Sequence, residues 1–444
     1  MAADSQRDLC YKLLYRYSEQ NTFTNLMFRS EGVTDFVRAA VYGTITYLIA
    51  IDHIVRVASG KEVDKMDIPT ATIVRFGTWQ LLFSDKVPSY AAVSSSVELA
   101  KRYCPKSSGF INAILHKVDE LSPEQKDIDS YKPNIACALK PEIFGIFKRD
   151  HGRERALSIG KALLNVAPTT IRINPLKLSK EQAIAELERE GFTVSDGHFV
   201  PEALTLVKSE GAGIDSCQAF KDGDFFVQGE GAMLATLVAS PKKGDRILDV
   251  CAAPGGKSTH MAQTVSDECE ILSLDINDSR LELIRDNAVR LGIKSVTAIK
   301  ADSTDLRSTL SDTASFDIVL ADVPCSGLGL MSGKPDIRHS ISYERISELI
   351  PKQRLILDNA SEYVKSGGTL IYSTCTVNRD ENEEQVRAFL DDHPDFYAED
   401  ITPFLPDRLI IDEKRSEDIK GGMITLLPDI DLCEGFFIAR MKRR

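Results

Sequence analysis

Three side chains in the last third of the chain have the types and spacing of a covalent catalyst. Asp322 and Cys325 stand together in FDIVLADVPCSG, and Cys375 follows in GGTLIYSTCTV. A thiolate can add to an electron-poor carbon, and a neighbouring carboxylate can hold a ring nitrogen and balance charge as the adduct forms. Taken singly, each cysteine reads as a small buried residue, because reactive thiols need an electropositive, partly exposed setting. Two thiols and an acid at the ends of consecutive β-rich runs point to chemistry instead.

A ligand site precedes them in the chain. The run RILDV ends at Asp249-Val250 and passes into CAAPGGKSTH, whose small residues and two glycines let a ligand approach backbone at a helix N-terminus. The loop imitates the end of the phosphate-binding motif G-x-x-x-x-G-K-[ST], but that motif needs a glycine where Cys251 stands. Asp275 closes the next β-rich run, where an acid can accept both hydroxyls of a ribose, and Asp302 closes a third, in reach of an adenine amino group. Each acid alone would serve equally as a cap or turn residue. Together with CAAPGGK they fit an adenosyl cofactor, and the missing G-x-G-x-x-G argues against a nicotinamide dinucleotide. Lys257 either adds positive charge to this pocket or is a solvated lysine at a helix start.

Beside an adenosyl methyl donor, the thiols and the acid have a specific use. Carbon C5 of cytosine is a poor nucleophile, and a thiolate adding at C6 makes C5 enamine-like and able to take a methyl group. Afterwards the C5 proton must leave and the thiol be expelled, a step that a second cysteine could assist.

The elements that must position these residues are legible as a pattern. RILDV, EILSLD, VTAIKAD, FDIVLADV and GGTLIYSTCT alternate with amphipathic stretches at 255–266, 277–291 and 343–365. That alternation predicts a doubly wound parallel sheet, whose carboxyl strand ends face one crevice. GGMITLLPD and EGFFIARM are expected as an antiparallel pair at one edge. Upstream, TTIRIN, KEQAIAELERE, FTV and ALTLVKS read as a small α/β domain, with Arg172 and Asn174 on a strand face that meets either RNA or solvent. From Asp8 to Lys117 apolar residues recur at helical spacing, which predicts an all-helical first domain with Trp79 in its core. Arg75, Lys101, Arg102 and Lys106, with Tyr103 among them, are expected to form a basic surface with an aromatic for stacking. LSPEQKDIDSYKPN, rich in turn formers, reads as a linker near 121–134. The expected division is a helical domain over 1–135, a small α/β domain over 136–232 and a Rossmann-like α/β domain over 233–444.

Composition narrows the classes. A chain of 444 residues with 43% apolar and 27% charged residues has enough material for several buried cores. No apolar run reaches bilayer-spanning length and the opening residues mix charge with apolar positions, so neither a membrane nor a secretory route is expected and the cytoplasm is. Nine scattered cysteines without a CxxC spacing argue against a disulfide framework and a metal site. A net charge of −12 excludes a uniformly basic nucleic-acid binder. The charge is uneven, however: residues 1–130 carry 15 Lys and Arg against 16 Asp and Glu, leaving 39 against 50 to the rest. RNA binding by the first domain is therefore compatible with the overall acidity. Nothing demands more than a monomer.

At these residues the chain resembles the NOL1/NOP2/Sun family of RNA cytosine-C5 methyltransferases, and most of all its members acting on bacterial small-subunit ribosomal RNA. The motifs CAAPGGK, DVPCSG, KPDIRH, QRLILDNA and STCTVNRDENEEQV carry the resemblance in the catalytic domain. VPSYAAVSSSVELAKRYCPKSSGFINAILHKV is similar to the helical RNA-binding domain of the antitermination factor NusB. The resemblance implies an all-α NusB-like domain, a small α/β domain and a class I S-adenosylmethionine methyltransferase domain. It further implies that Cys251, Ala252, Ala253, Pro254, Gly255, Gly256, Lys257, Asp275, Asp302 and Asp322 bind S-adenosylmethionine. By the same resemblance Cys375 is the nucleophile and Cys325 helps release the product. DNA cytosine methylases use a Pro-Cys nucleophile, so the presence of both motifs implies RNA rather than DNA. Three positions depart from the family pattern: Val323 in place of alanine, Lys334 in place of arginine and Gly229 in place of an acid. The competing reading is a non-catalytic, cofactor-sensing RNA-binding or assembly factor, for which two thiols and an acid would have no use. A methyltransferase acting on protein or a small molecule would typically carry an Asn-Pro-Pro-Tyr-like motif where DVPCSG stands.

Overall fold

Helical periodicity sets the first part of the chain. The computed structural model describes residues 3–20, 33–209, 213–411 and 415–444. Helices Ala3–Gln20, Asp35–Thr46, Leu48–Ser59, Ile68–Leu82, Ser89–Tyr103 and Ser108–Asp119 follow one another, then Pro141–His151 and Arg153–Ala162. Thr34 caps the second of these, its hydroxyl accepting from the Val37 N–H, and Gly60 ends the third in the left-handed region that glycine adopts without strain. Helix Ile68–Leu82 is buried from Thr70 to Gln80 except at Arg75, which makes it the central helix of the bundle. Trp79 lies in this core as the sequence predicts, and it packs where Gly43 has no side chain: a Cβ there would sit 2.2 Å from the indole Nε1. Among the described residues no single helix is long and apolar enough to cross a membrane. Helices 35–46 and 48–59 meet that test only as a pair bent by 71°, and Val37, Val41, Ile45, Ile51 and Ile54 from them belong to the bundle core.

Packing divides the chain into two compact units, Met1–Val166 with Leu330–Tyr343, and Ala167–Gly329 with Glu344–Arg444. The stretch expected as a linker near 121–134 is built of short helical turns, Pro123–Lys126 and Ile128–Ser130, leading into Pro133–Ala136. Ser122 and Gln125 close the first in a capping box, so turn-forming residues here make structure rather than a flexible joint. Residues 330–343, which contain KPDIRH, pack in the helical unit. Arg338 is fully buried there and donates to the carbonyls of Cys137, Ala138 and Leu163, and the His339 Nε2–H reaches the Ile45 carbonyl at 2.7 Å.

The second unit holds two sheets. Strands β1 (Thr169–Ile173), β2 (Phe192–Asp196), β3 (Ala203–Ser209) and β4 (Phe225–Val227) form an antiparallel sheet in the order β2-β3-β1-β4, with helix Lys180–Arg189 packed against β2. The larger sheet comprises β5 (Arg246–Asp249), β6 (Glu270–Asp275), β7 (Val296–Lys300), β8 (Phe316–Asp322), β9 (Val364–Thr374), β10 (Phe396–Ala398), β11 (Met423–Leu426) and β12 (Phe436–Arg443). Its order is β10-β12-β9-β8-β5-β6-β7, and β11 pairs with β12. The five strands from β9 to β7 are parallel, as the sequence pattern predicts. The final antiparallel pair forms too, but β12 is inserted between β9 and β10 rather than lying at the edge, and its first six residues are buried. The order of strands reverses between β5 and β8, so the crevice at their carboxyl ends is the switch point where ligands bind in open α/β sheets.

One expectation for the small sheet is overturned. Arg172 and Asn174 do not face RNA or solvent, because both are fully buried. The Arg172 guanidinium donates to Gln263 Oε1, the Gly256 carbonyl, Thr259 Oγ1 and Gln228 Oε1, while Asn174 donates to the carbonyls of Gly223 and Leu291. A buried cation survives only with such partners, and here it ties the small sheet to the helix that follows CAAPGG.

Candidate active site

Asp249 ends β5, and its carboxylate turns into the protein. Ser258, in the first turn of helix Gly256–Thr264, donates to Asp249 Oδ2 at 2.6 Å and accepts from Ser273 of β6 at 2.9 Å. Burial, with the Asp322 charge adding to it, pushes the Asp249 carboxyl up to about 7. Between strand and helix the loop turns through Gly255 at φ +95, a conformation that favours glycine, with Ile284 directly behind it. Cys251 is a neutral wall, its thiol pushed up to about 12 by burial.

The loop borders a cavity of about 160 Å³ lined by Cys251, Ala252, Ala253, Pro254, Gly256, Lys257, Asp249, Asp322 and residues 226–228 with Ala232. Two buried polar atoms on this lining, Asp249 Oδ1 and Gln228 Nε2, have no hydrogen-bond partner in the protein. An orphaned acceptor beside an orphaned donor suits a ligand carrying an ammonium and a carboxylate, such as the methionyl end of S-adenosylmethionine. Asp275 and Asp302 end β6 and follow β7 on the same sheet edge but stand outside the cavity lining. Asp275 is buried, accepts from the Asn277 N–H at 3.0 Å and lies 3.4 Å from Arg280. Asp302 is exposed and accepts from Thr304 through hydroxyl and backbone, contacts that hold its carboxyl below the usual range.

The candidate reacting groups gather at the ends of β8 and β9. Lys257 Nζ is 2.6 Å from Asp322 Oδ2, and Ser373 of β9 donates to Asp322 Oδ1 at 2.7 Å. Lys257 thus lies on the cavity lining rather than in solvent, its ammonium 5.2 Å from the centre of the Phe436 ring. Cys325 and Cys375 face each other with sulfurs 2.9 Å apart, and the Cys375 N–H also points at the Cys325 sulfur at 3.3 Å. The hydrogen bond with Cys375, then burial, then the charge of Glu381 push the Cys325 thiol well above the ordinary thiol range.

Sequence reasoning missed the supports. Ser373, Gln228, Glu381 and Gln353 carried no signal as single residues, although Ser373 and Glu381 lie in STCTVNRDENEEQV and Gln353 in QRLILDNA, motifs that the family resemblance had marked. At the departing positions, Val323 is buried in the sheet core and Lys334 is exposed. Gly229 is explained by a neighbour: a Cβ there would lie 1.5 Å from Glu434 Oε1, so the Glu434 carboxylate fills the space of the missing side chain and receives the Gly231 N–H. The basic surface of the helical unit is smaller than expected. Arg75 is engaged by Asp52 and Asp64, Tyr103 stacks on Tyr11 at 4.0 Å and donates to Asp8, and only Lys101, Arg102 and Lys106 are exposed.

A parallel sheet with a glycine-turned loop at its switch point, a zwitterion-matched cavity and an adjoining thiol pair defines an S-adenosylmethionine-dependent methyltransferase, here carried with a helical unit. Residues 236–442 match the family described as 16S rRNA methyltransferase RsmB/F, residues 145–211 its ferredoxin-like domain, and residues 4–120 the NusB family. The chain is 31% identical to the probable ribosomal RNA small subunit methyltransferase B of Bacillus subtilis (strain 168), with 100% of both chains covered. It is also 31% identical to ribosomal RNA small subunit methyltransferase B of Escherichia coli O17:K52:H18, over 79% of this chain and 80% of that one. Its fold is shared with the crystal structure of PH0851, at a TM-score of 0.79 and 23% identity over 100% of this chain and 99% of that one. The chain belongs to the RsmB/F family of 16S rRNA methyltransferases, with an all-α NusB domain, a ferredoxin-like α/β domain and a Rossmann-like catalytic domain.

Proposed function

We propose that this rRNA methyltransferase methylates C5 of a cytosine in small-subunit ribosomal RNA through a covalent bond between Cys375 and C6. The observation that carries the reading is the pair of sulfurs 2.9 Å apart beside the Lys257–Asp322 pair. Cys325, whose thiol is pushed well above the ordinary range, keeps its proton and in this reading is the partner that donates toward the Cys375 sulfur, leaving Cys375 as the nucleophile. Asp322, fixed by Ser373 and Lys257, holds the base at N3, and a proton passes from the Lys257–Asp322 pair to N3, neutralising the electron pair displaced onto the ring as the Cys375–C6 bond forms. Asp249, Gln228 and the loop from Cys251 to Lys257 would hold S-adenosylmethionine, and Asp275 and Asp302, on the same sheet edge outside that lining, would take its ribose and adenine. When bound, it supplies an electrophilic methyl sulfonium. The C5 proton then passes to water, the C6–S bond breaks, and the Cys325 thiol donates to the departing sulfur.

The test is expression of wild type, Cys325→Ala, Cys375→Ala and the double variant, followed by denaturing gels with ribonuclease controls. Cys325→Ala is expected to accumulate protein bound to RNA, and the double variant to show none. Absence of adduct from every folded variant would move the assignment to an RNA-binding assembly factor.

Two further expectations belong to this reading. The segments 1–135, 136–232 and 233–444 are proposed as functional modules, supported by separate family matches within each. The enzyme is proposed to act as a cytoplasmic monomer on RNA, without DNA or membrane partners, a placement suited to nine free thiols.

A further inference from the structure

Glu381 is fully buried, yet among the described residues no cation pairs with its carboxylate. Four donors hold it instead. The Ser326 N–H binds Oε1 at 2.8 Å and the Ser326 hydroxyl binds Oε2 at 2.6 Å. Gln353 Nε2 adds a bond to Oε1 at 3.0 Å, and Asn378 Nδ2 one to Oε2 at 2.9 Å. Removing a carboxylate from water is costly, and a carboxylate kept without a counter-ion needs every lone pair occupied. The donors come from three places: the turn carrying Cys325, helix Tyr343–Ser361, and the segment after Cys375. Gln353 also donates to the carbonyl of Pro324, immediately before Cys325, and the Ser326 hydroxyl lies 2.8 Å from that of Thr376, immediately after Cys375. The next residue, Asn382, accepts from Thr374 at 2.5 Å and donates to the Thr376 carbonyl at 3.0 Å, bracketing Cys375 on both sides.

We propose that Glu381 is a positioning residue for methyl transfer, holding the Cys325 turn against the end of β9 and reserving Cys325 as the hydrogen-bond donor of the thiol pair. The inference rests on the two-cysteine reading for its consequence in catalysis, but its physical content is a statement about two sulfurs in the resting protein. The titratable groups facing Cys325 are Cys375 just past β9, Tyr372 of β9 and Glu381 on the following turn. Glu381 is the buried anion among them that lies outside the cofactor cavity. Either sulfur can donate across the 2.9 Å contact, and the Glu381 charge, opposing a second anion at Cys325, biases the shared proton toward Cys325.

The experiment is iodoacetamide alkylation of the full-length chain between pH 6 and 10, with Cys325 and Cys375 followed separately by peptide mass spectrometry. Wild type, Glu381→Gln and Glu381→Asp are compared, with S-adenosylmethionine affinity and melting temperature as checks on folding. In wild type Cys325 should react at higher pH than Cys375. Glu381→Gln removes the charge and sets an amide among donors, and should lower the Cys325 midpoint by about one pH unit, raising its alkylation near neutral pH about tenfold. Methyl transfer should fall at least tenfold in kcat with little change in KM for S-adenosylmethionine. Glu381→Asp, which keeps the charge, should retain the wild-type order of reactivity. An unchanged Cys325 profile in folded Glu381→Gln, or the same profile change in Glu381→Asp, would overturn the proposal. The alkylation result stands without RNA, so a failure of the covalent mechanism would appear separately, as missing adducts in Cys325→Ala.

Discussion

Residue identity at position 229 has meaning only together with position 434. Gly229 is the N-cap of helix Glu230–Ala239 and has no side chain to offer its N–H groups, and the Glu434 carboxylate enters that space from the other end of the chain. A capping carboxylate stabilises a helix start through its hydrogen bond and through the helix dipole. Glu434→Ala is therefore expected to lower stability by about 1 kcal/mol, and Gly229→Asp placed in the Glu434→Ala background to recover most of it. Melting temperatures of the two single variants and the double variant check this. Additive losses in the double variant would show that the two positions do not share one role.

At the scale of elements, segment 330–343 joins KPDIRH to the helical unit through groups that tolerate no protonation change. His339 donates through Nε2 to the Ile45 carbonyl, and burial, with Arg338, Lys140 and Arg75 nearby, lowers its pKa to about 4. An unfolded histidine takes up its proton near pH 6.5, whereas this one stays neutral until about 4. Between those values the unfolded state binds more protons, so stability contributed by the buried neutral ring is intact above pH 6.5 and is lost as pH falls toward 4. The slope is at most about 1.4 kcal/mol per pH unit. His339→Gln, which keeps a donor without the titration, should lose less melting temperature than wild type between pH 7 and pH 5.

For the whole molecule, the chain leaves the helical unit at 166, returns at 330 and leaves again at 343. The catalytic sequence thus deposits a loop in the helical unit, and Arg338 there finds its carbonyl partners on residues 137–163. A fragment beginning at residue 167 would expose that arginine segment without its acceptors. Such a fragment should melt well below the full chain, and replacing 330–343 by a short Gly/Ser linker should restore solubility and cofactor binding, as measured by calorimetry. A fragment as stable as the full chain would show that the loop is dispensable to the fold.

The sequence by itself determined the alternation of strands and helices, the helical first unit and the residues of the two thiol motifs. These are local or periodic properties: a period of 3.6 or 2, a small-residue turn, and an acid at a strand end are each written within a few consecutive positions. Tertiary structure decided what those residues meet. Arg172 looked like an RNA contact because a cation on a strand is usually solvated, but four acceptors from distant segments take it inside. Asp275 ends β6 and Asp302 follows β7, yet both stand outside the cavity lining, and Lys257 acquires its ion-pair partner only when β8 brings Asp322 to it. Glu381, the carboxylate that binds the Cys325 turn to the segment after Cys375, was one acid in a run of acids. Burial and partnership are properties of chain segments tens to hundreds of residues apart, so no local pattern carries them, and only the folded arrangement distinguishes a solvated charge from one that holds a site together.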